Sequence, residues 1–279
     1  MVLFQEYVEN DKYFVSYYNA MIVLGWFLGA QLGGIFIEFF GIDNIFIFLL
    51  IISLINGGFT IFIREHRNLI RERFEEQSNS LLASEKSGGI DSKAPISKSI
   101  YGAMYFRNFG IRPIISVLAI IMAFHINSDI QIGFLIGINP LLQFFLILLF
   151  GRIINERNTK SFMVIGYCLS IIVILGYYVS VDFIGFLISQ MLISFSFAMF
   201  FTATQIYISQ LTTPDNKGKY VGYANSSFYL GSFSGGLYFS LLLAIYSDYY
   251  IAILFMVVFP GLSSLIIMLK FEGACKNNT

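Results

Sequence analysis

The side chains able to do chemistry in this 279-residue chain are few and are scattered through long apolar stretches. Asn139 and Gln143 stand four residues apart, as do Gln190 and Ser194, so each pair shares one face of a helix. Gln205 follows in the same stretch as Gln190 and Ser194, and Asn225 stands alone in another. Amides and hydroxyls in apolar surroundings have two uses. They can meet a polar solute, or they can tie one helix to its neighbour. Asn139, Gln143, Gln190, Ser194 and Asn225 are therefore candidates to line a solute cavity, with interhelical bonding as the alternative for each. Pro140 lacks an N–H and frees a carbonyl one turn back, a local break beside Asn139. Nothing in the chain supports covalent catalysis. It has no nucleophile–base pair, no cluster of metal ligands and no phosphate-binding loop, so an enzyme, a metal and a cofactor are not expected. Cys168 and Cys275 suggest neither a disulfide framework nor a metal site. Glu38 and His125 both fall near the ends of apolar runs, where an interfacial or structural role competes with proton coupling.

The elements that must position these residues follow from composition. Hydrophobic residues make up 57% of the chain, aromatics 18% and charged residues only 12%. A soluble domain carries about 25% charged residues, so this chain is an integral membrane protein with the lipid bilayer as its solvent. A net charge of zero argues against a nucleic-acid partner. Glu6, Glu9 and Asp11 at the start are the wrong charge for a signal peptide.

A hydrocarbon core of about 30 Å needs roughly 20 apolar residues of helix. By that measure the spans fall at 14–40, 45–63, 113–126, 132–150, 162–179, 183–209, 219–246 and 250–269, an all-α polytopic protein of about eight transmembrane helices. Long unalternating runs exclude a membrane β-barrel. The third span is short. Between Arg112–Pro113 and the polar stretch 125–129 it leaves roughly 21 Å of helix, which implies a thinned bilayer, shielding by neighbours, or lost residues.

Every Lys and Arg falls in alternate loops: Lys12; then the stretch from Arg64 to Arg112, including Arg107; then Arg152, Arg157 and Lys160; then Lys217 and Lys219; then Lys270 and Lys276. The opposite loops carry only Asp43, Asp129, Asp182 and Asp248. Positive charge stays in the cytoplasm, so both termini and the loop at 64–112 are expected there. That loop opens with a charged stretch, REHRNLIRERFEEQ, whose pattern suggests a surface helix, and passes into a Ser/Gly/Lys linker.

Residues 28–34 (LGAQLGG) and 230–236 (LGSFSGG) match at four of seven positions, 202 residues apart. Both copies enter the membrane from the same side, so the repeat is parallel, one of the plans of secondary transporters. Glycines four apart let a second helix approach closely, and ordinary helix packing explains them as well as a role in transport.

The stretch GWFLGAQLGG (25–34) resembles the antiporter motif in the fifth helix of the major facilitator superfamily. Gly25, Gly29, Gly33 and Gly34 match it, whereas Ser16 replaces its first Gly and Ala30 its Pro. Gly231, Gly235 and Gly236 occupy the equivalent seam in the second copy. GRIINERNTKS (151–161) resembles the family's cytoplasmic loop signature, with Gly151 and Lys160 in place and Glu156–Arg157 displaced by one residue. The resemblance implies a two-half transporter for a small solute, with export as the direction. It also implies a domain plan: 1–63 as the remnant of a first half (helices five and six), 64–112 as the central loop, and 113–279 as the second half (helices seven to twelve). Glu156, Arg157 and Lys160 would be either a cytoplasmic latch or topology-setting charges. On this plan helices one to four are missing, and the chain reads as an incomplete, inactive fragment localised to the cell membrane. A non-transporting scaffold or partner-binding protein of the same architecture is the alternative.

Overall fold

In a bilayer the backbone has no partner but itself, and the computed structural model is helical accordingly. It describes residues 12–41, 44–62, 96–212 and 214–271. In chain order the helices are α1 (Lys12–Phe40), α2 (Ile45–Phe62), α3 (Ser99–Ala123), α4 (Asp129–Ile153), α5 (Thr159–Val179), α6 (Phe183–Leu211), α7 (Pro214–Tyr246), α8 (Tyr249–Met256) and α9 (Val258–Lys270). Six stretches are long and apolar enough to cross a membrane: α3, α4, α5, α6, Asn216–Tyr246 of α7, and Tyr249–Lys270, which α8 and α9 share. The two spans expected before them are helical, the second containing the apolar stretch Phe46–Gly58.

The short third span is overturned. Its helix begins at Ser99, not at Pro113, and runs for 25 residues. The placing of Arg107 and Arg112 in a loop falls with it, since both arginines lie inside α3. The expected surface helix after Arg64 lies outside the described residues. A proline inside a helix normally breaks it, because the carbonyl four residues back loses its donor. Here that carbonyl belongs to Phe109, and it faces Gly235 of α7, where an added Cβ would collide with it. The close backbone approach gives the freed oxygen a weak Cα–H partner. The same arrangement recurs at Pro260. It releases the carbonyl of Met256, and a Cβ at Gly110 of α3 would stand 2.9 Å from that oxygen. The helix break at Val257 follows from the lost bond, and so the last expected span is two helices.

The chain divides into two units, residues 1–32 with 94–279, and residues 33–93. In the second, Phe36 stacks on Phe48 at 4.3 Å between ring centroids. In the first, α7 packs on α3, α3 on α9, α9 on α5, α5 on α6 and α6 on α4. Two apolar cores fill it. One gathers Ile100, Met104, Ile147, Tyr167, Phe200 and Ile206. The other gathers Ile114, Leu118, Leu135, Ile174, Phe186 and Ile253. Among the buried polar residues, Arg107, Asn108, Gln143, Ser170, Ser194 and Ser196 fall between these two cores along their helices, and Gln190 lies one turn from Ser194, within the stretch of the second core. We call the level of the bundle between the two cores its waist.

The lone acids of the loops opposite the Lys and Arg residues have a local purpose. Asp182 accepts from the backbone N–H of Gly185 at 2.7 Å, and Asp248 from that of Tyr250 at 2.7 Å. Each caps the helix that follows it, and Asp129 sits in the first turn of α4. Asp43 lies outside the described residues.

Candidate functional site

The waist holds two hydrogen-bonded clusters, one on either side of α6. The first is built on Gly166 of α5. A Cβ at Gly166 would lie 2.7 Å from the backbone nitrogen of Phe200, so only glycine lets α5 and α6 come this close. Its carbonyl accepts the hydroxyls of Ser170 (3.1 Å) and Ser196 (2.9 Å). The two hydroxyls also lie 2.7 Å from each other, so one of them can donate to its neighbour in place of the carbonyl; in either arrangement the oxygens keep lone pairs, and Arg107 uses them. Its Nε donates to Ser170 at 3.1 Å and a terminal nitrogen donates to Ser196 at 3.5 Å; the other terminal nitrogen reaches Asn108 Oδ1 at 3.3 Å. The guanidinium lies 4.2 Å from the centre of the Phe200 ring and 5.7 Å from that of Phe197. Arg107 is 1% exposed. A charge in an apolar span is costly unless it is paired and hydrogen-bonded. Here neutral oxygens and aromatic faces do that work, with no carboxylate among its partners.

The second cluster joins α4 to α6. Ser194 donates to Asn139, reaching both its Oδ1 (2.9 Å) and its backbone carbonyl (3.1 Å), as well as to the carbonyl of Gln190 (2.7 Å). Gln143 donates to Asn139 Oδ1 at 2.5 Å. Tyr177 of α5 donates to Gln190 Oε1 at 3.3 Å. Four of the five cavity candidates, Asn139, Gln143, Gln190 and Ser194, are thus brought together, and the fifth, Asn225, stands apart on α7. Gln143 Oε1 is buried with no hydrogen-bond partner. Gln205, one of the other polar residues of α6, is 2% exposed and neither of its amide atoms has a partner.

At the surface, Glu156 and Arg157 are exposed in the turn between α4 and α5. Lys160 is not joined to them. Its ammonium donates to the carbonyls of Met268 (3.3 Å) and Phe271 (3.1 Å), at the C-terminal end of α9, where a cation is favoured. Gly151 lies against Ser16 of α1, whose side chain a Cβ there would strike. Gly231 and Gly235 face the backbone of Tyr105 and Phe109. At Gly25, Gly29, Gly33 and Gly236 an added Cβ would meet no described atom within 4 Å, and the surroundings of Gly34 and Glu38 lie outside the described residues. Just past the C-terminal end of α3, His125 and Tyr250 share a hydrogen bond through Nε2 and the phenol.

Arg107 and Arg112 are the residues that sequence reasoning missed. A signal was present. Ile100, Ala103, Met104, Arg107 and Ile111 recur at helical spacing and are all buried, which extends the amphipathic pattern well ahead of Pro113.

Six helical stretches long and apolar enough to cross a membrane, packed as one bundle, define a polytopic membrane protein. A family model described as Major Facilitator Superfamily matches residues 99–274. The chain belongs to that superfamily, whose members are secondary transporters. The match opens at Ser99, the first residue of α3. No curated protein matches the chain.

Proposed function

We propose that this chain serves the export of a small organic solute across the cell membrane, with α3 to α9 as one half of the transporter and α1 and α2 as part of the other. The observation that carries the reading is the waist. In a transporter the solute must find polar groups at the middle of the span, and Asn139, Gln143, Gln190 and Ser194 supply amides and hydroxyls there. The direction rests on the glycine face of α1, which resembles an antiporter motif. Orientation has separate support. Lys98, Arg152, Lys160, Lys219 and Lys270 all lie at one end of the six helical stretches, while Asp129, Asp182 and Asp248 lie at the other. This charge bias favours a cytoplasmic location for the first set and for both termini.

Everted vesicles from cells that make the protein, with and without its gene, test the reading. The gene is expected to confer energised accumulation of at least one class in a panel of small organic solutes. Uptake of every class unchanged by the deletion would overturn it. The described residues hold one six-span bundle and two further helices, whereas alternating access works between two bundles. The accumulation that the gene confers in its own cells is therefore expected to need a second bundle supplied there, and the chain by itself in liposomes is expected to move no solute. Movement against a gradient would overturn that expectation.

A further inference from the structure

Arg112 is the least compensated charge in the bundle. It lies 13 residues after Ser99 and 11 before Ala123 in α3, which puts it about 20 Å and about 16 Å from the two ends at 1.5 Å per residue. That is the middle of the helix, and so of the span it makes. Its guanidinium lies 4.7 Å from the centre of the Phe228 ring on α7 and 5.8 Å from that of Trp26 on α1. No described residue gives it a hydrogen bond or an ion pair, although the group carries five N–H donors. The acids Asp129, Asp182, Asp248 and Glu156 all stand at helix ends. Arg107, five residues earlier, is sealed in with three hydrogen bonds; Arg112 remains partly accessible, and Trp26 beside it is 47% exposed.

Aromatic faces offset only part of the cost of a charge at this depth. What the site lacks is an oxyanion. A planar guanidinium is matched by the two oxygens of a carboxylate, sulfonate or phosphate, and the rings of Trp26 and Phe228 offer an apolar surface for the rest of such a molecule. We propose that Arg112, Trp26 and Phe228 bind an organic anion with an apolar or aromatic body, and that this is the class of solute carried. The assignment of cargo rests on the transporter reading; the binding site does not. A lipid headgroup would offer the same chemistry, but headgroups lie at the surface of a core about 30 Å thick, and the site is at its centre.

Trp26 is the chain's single tryptophan, so its emission reports on this site directly. The purified chain in neutral micelles would be titrated with phenylacetate, phenylacetamide and phenethylamine, which share a ring and differ in charge. Phenylacetate is expected to change the emission saturably and to bind at least about tenfold more tightly than the other two, as a charge-assisted pair requires. Arg112→Gln should remove that preference, and Arg112→Lys should keep it at reduced affinity. Equal binding of the three compounds by the unaltered protein would overturn the proposal, and that comparison needs no variant to fold. Unchanged phenylacetate affinity in Arg112→Gln would overturn it too, as would competition by phosphatidylglycerol added to the micelles. Emission reads binding alone. Loss of the anion preference with vesicle transport intact removes the site and leaves the transporter, and the reverse result leaves the site without transport.

Discussion

Residues 28–34 of α1 and 230–236 of α7 carry the same glycine spacing, and the structure puts them in opposite circumstances. At Gly231 and Gly235 the backbone of α3 lies so close that a methyl group would strike the carbonyls of Tyr105 and Phe109. At Gly25 and Gly29 a methyl group would touch no described atom within 4 Å. Glycine permits close approach but supplies little attraction of its own. The difference lies in what faces it. Opposite Gly235 is a carbonyl that Pro113 has deprived of its donor, and covering that oxygen with another backbone relieves an exposed polar group in the span.

The sharpest way to break this comparison is to fill the closed seam. Gly235→Leu sets a branched side chain against main chain that cannot move aside, and no folded bundle is expected to be recovered in micelles. Gly235→Ala, with one added carbon, should cost about 1–3 kcal/mol as overpacking does, read as a lowered thermal midpoint. If the alanine variant melts with the unaltered protein, the close approach of α3 and α7 is wrong.

A second test moves to the seam at Gly166, where close approach serves a charge. Ser196→Ala removes an acceptor of Arg107 and leaves a buried N–H without a partner, at a cost of about 1–3 kcal/mol. Adding Arg107→Met to that variant should recover much of the loss, since replacing a buried charge by an apolar side chain of similar volume is often neutral or stabilising. The double-mutant cycle in thermal unfolding measures the coupling. Additive losses would mean that Ser196 matters for packing and not for the guanidinium. A smaller effect is expected at the second cluster. Ser194→Ala removes one hydroxyl bridge between α4 and α6, worth about 0.6 kcal/mol and at most about 2 in membrane helices.

These sites differ in how far the sequence disclosed them. Apolar runs marked α4, α5, α6 and α7 to within a few residues, because in lipid a helix has to be both long and apolar. Asp182 and Asp248 stand directly before such runs, the position of an N-cap. The pairs Asn139/Gln143 and Gln190/Ser194 were legible as helix faces at four-residue spacing, but their meeting across α4 and α6 was not, since it depends on the packing of two helices. Ser99 to Arg112 was misread for a related reason. Hydropathy scores Arg107 as though it faced water or lipid, whereas its partners Ser170 and Ser196 stand 63 and 89 residues further along the chain. A charge that the fold satisfies looks the same in sequence as one in a loop. The glycine repeat was plain to see, and its unequal surroundings were not, because a glycine carries no mark of what faces it.

The smallest expected effect is the most informative about that inequality. Gly29→Ala adds a methyl group where no described atom stands in the way. In a helix interior alanine is favoured over glycine by about 0.5–1 kcal/mol through backbone entropy. The variant should therefore match or slightly exceed the thermal midpoint of the unaltered chain, while Gly231→Ala lowers it. If Gly29→Ala instead loses as much as Gly231→Ala, then in the protein measured a second helix covers the face of α1 as closely as α3 covers that of α7. The two copies of the motif would then share a circumstance as well as a spacing. Gly25→Ala, one turn earlier on the same face, separates a covering helix from a local effect. A helix lying along the seam penalises both substitutions, whereas a contact confined to Gly29 penalises one.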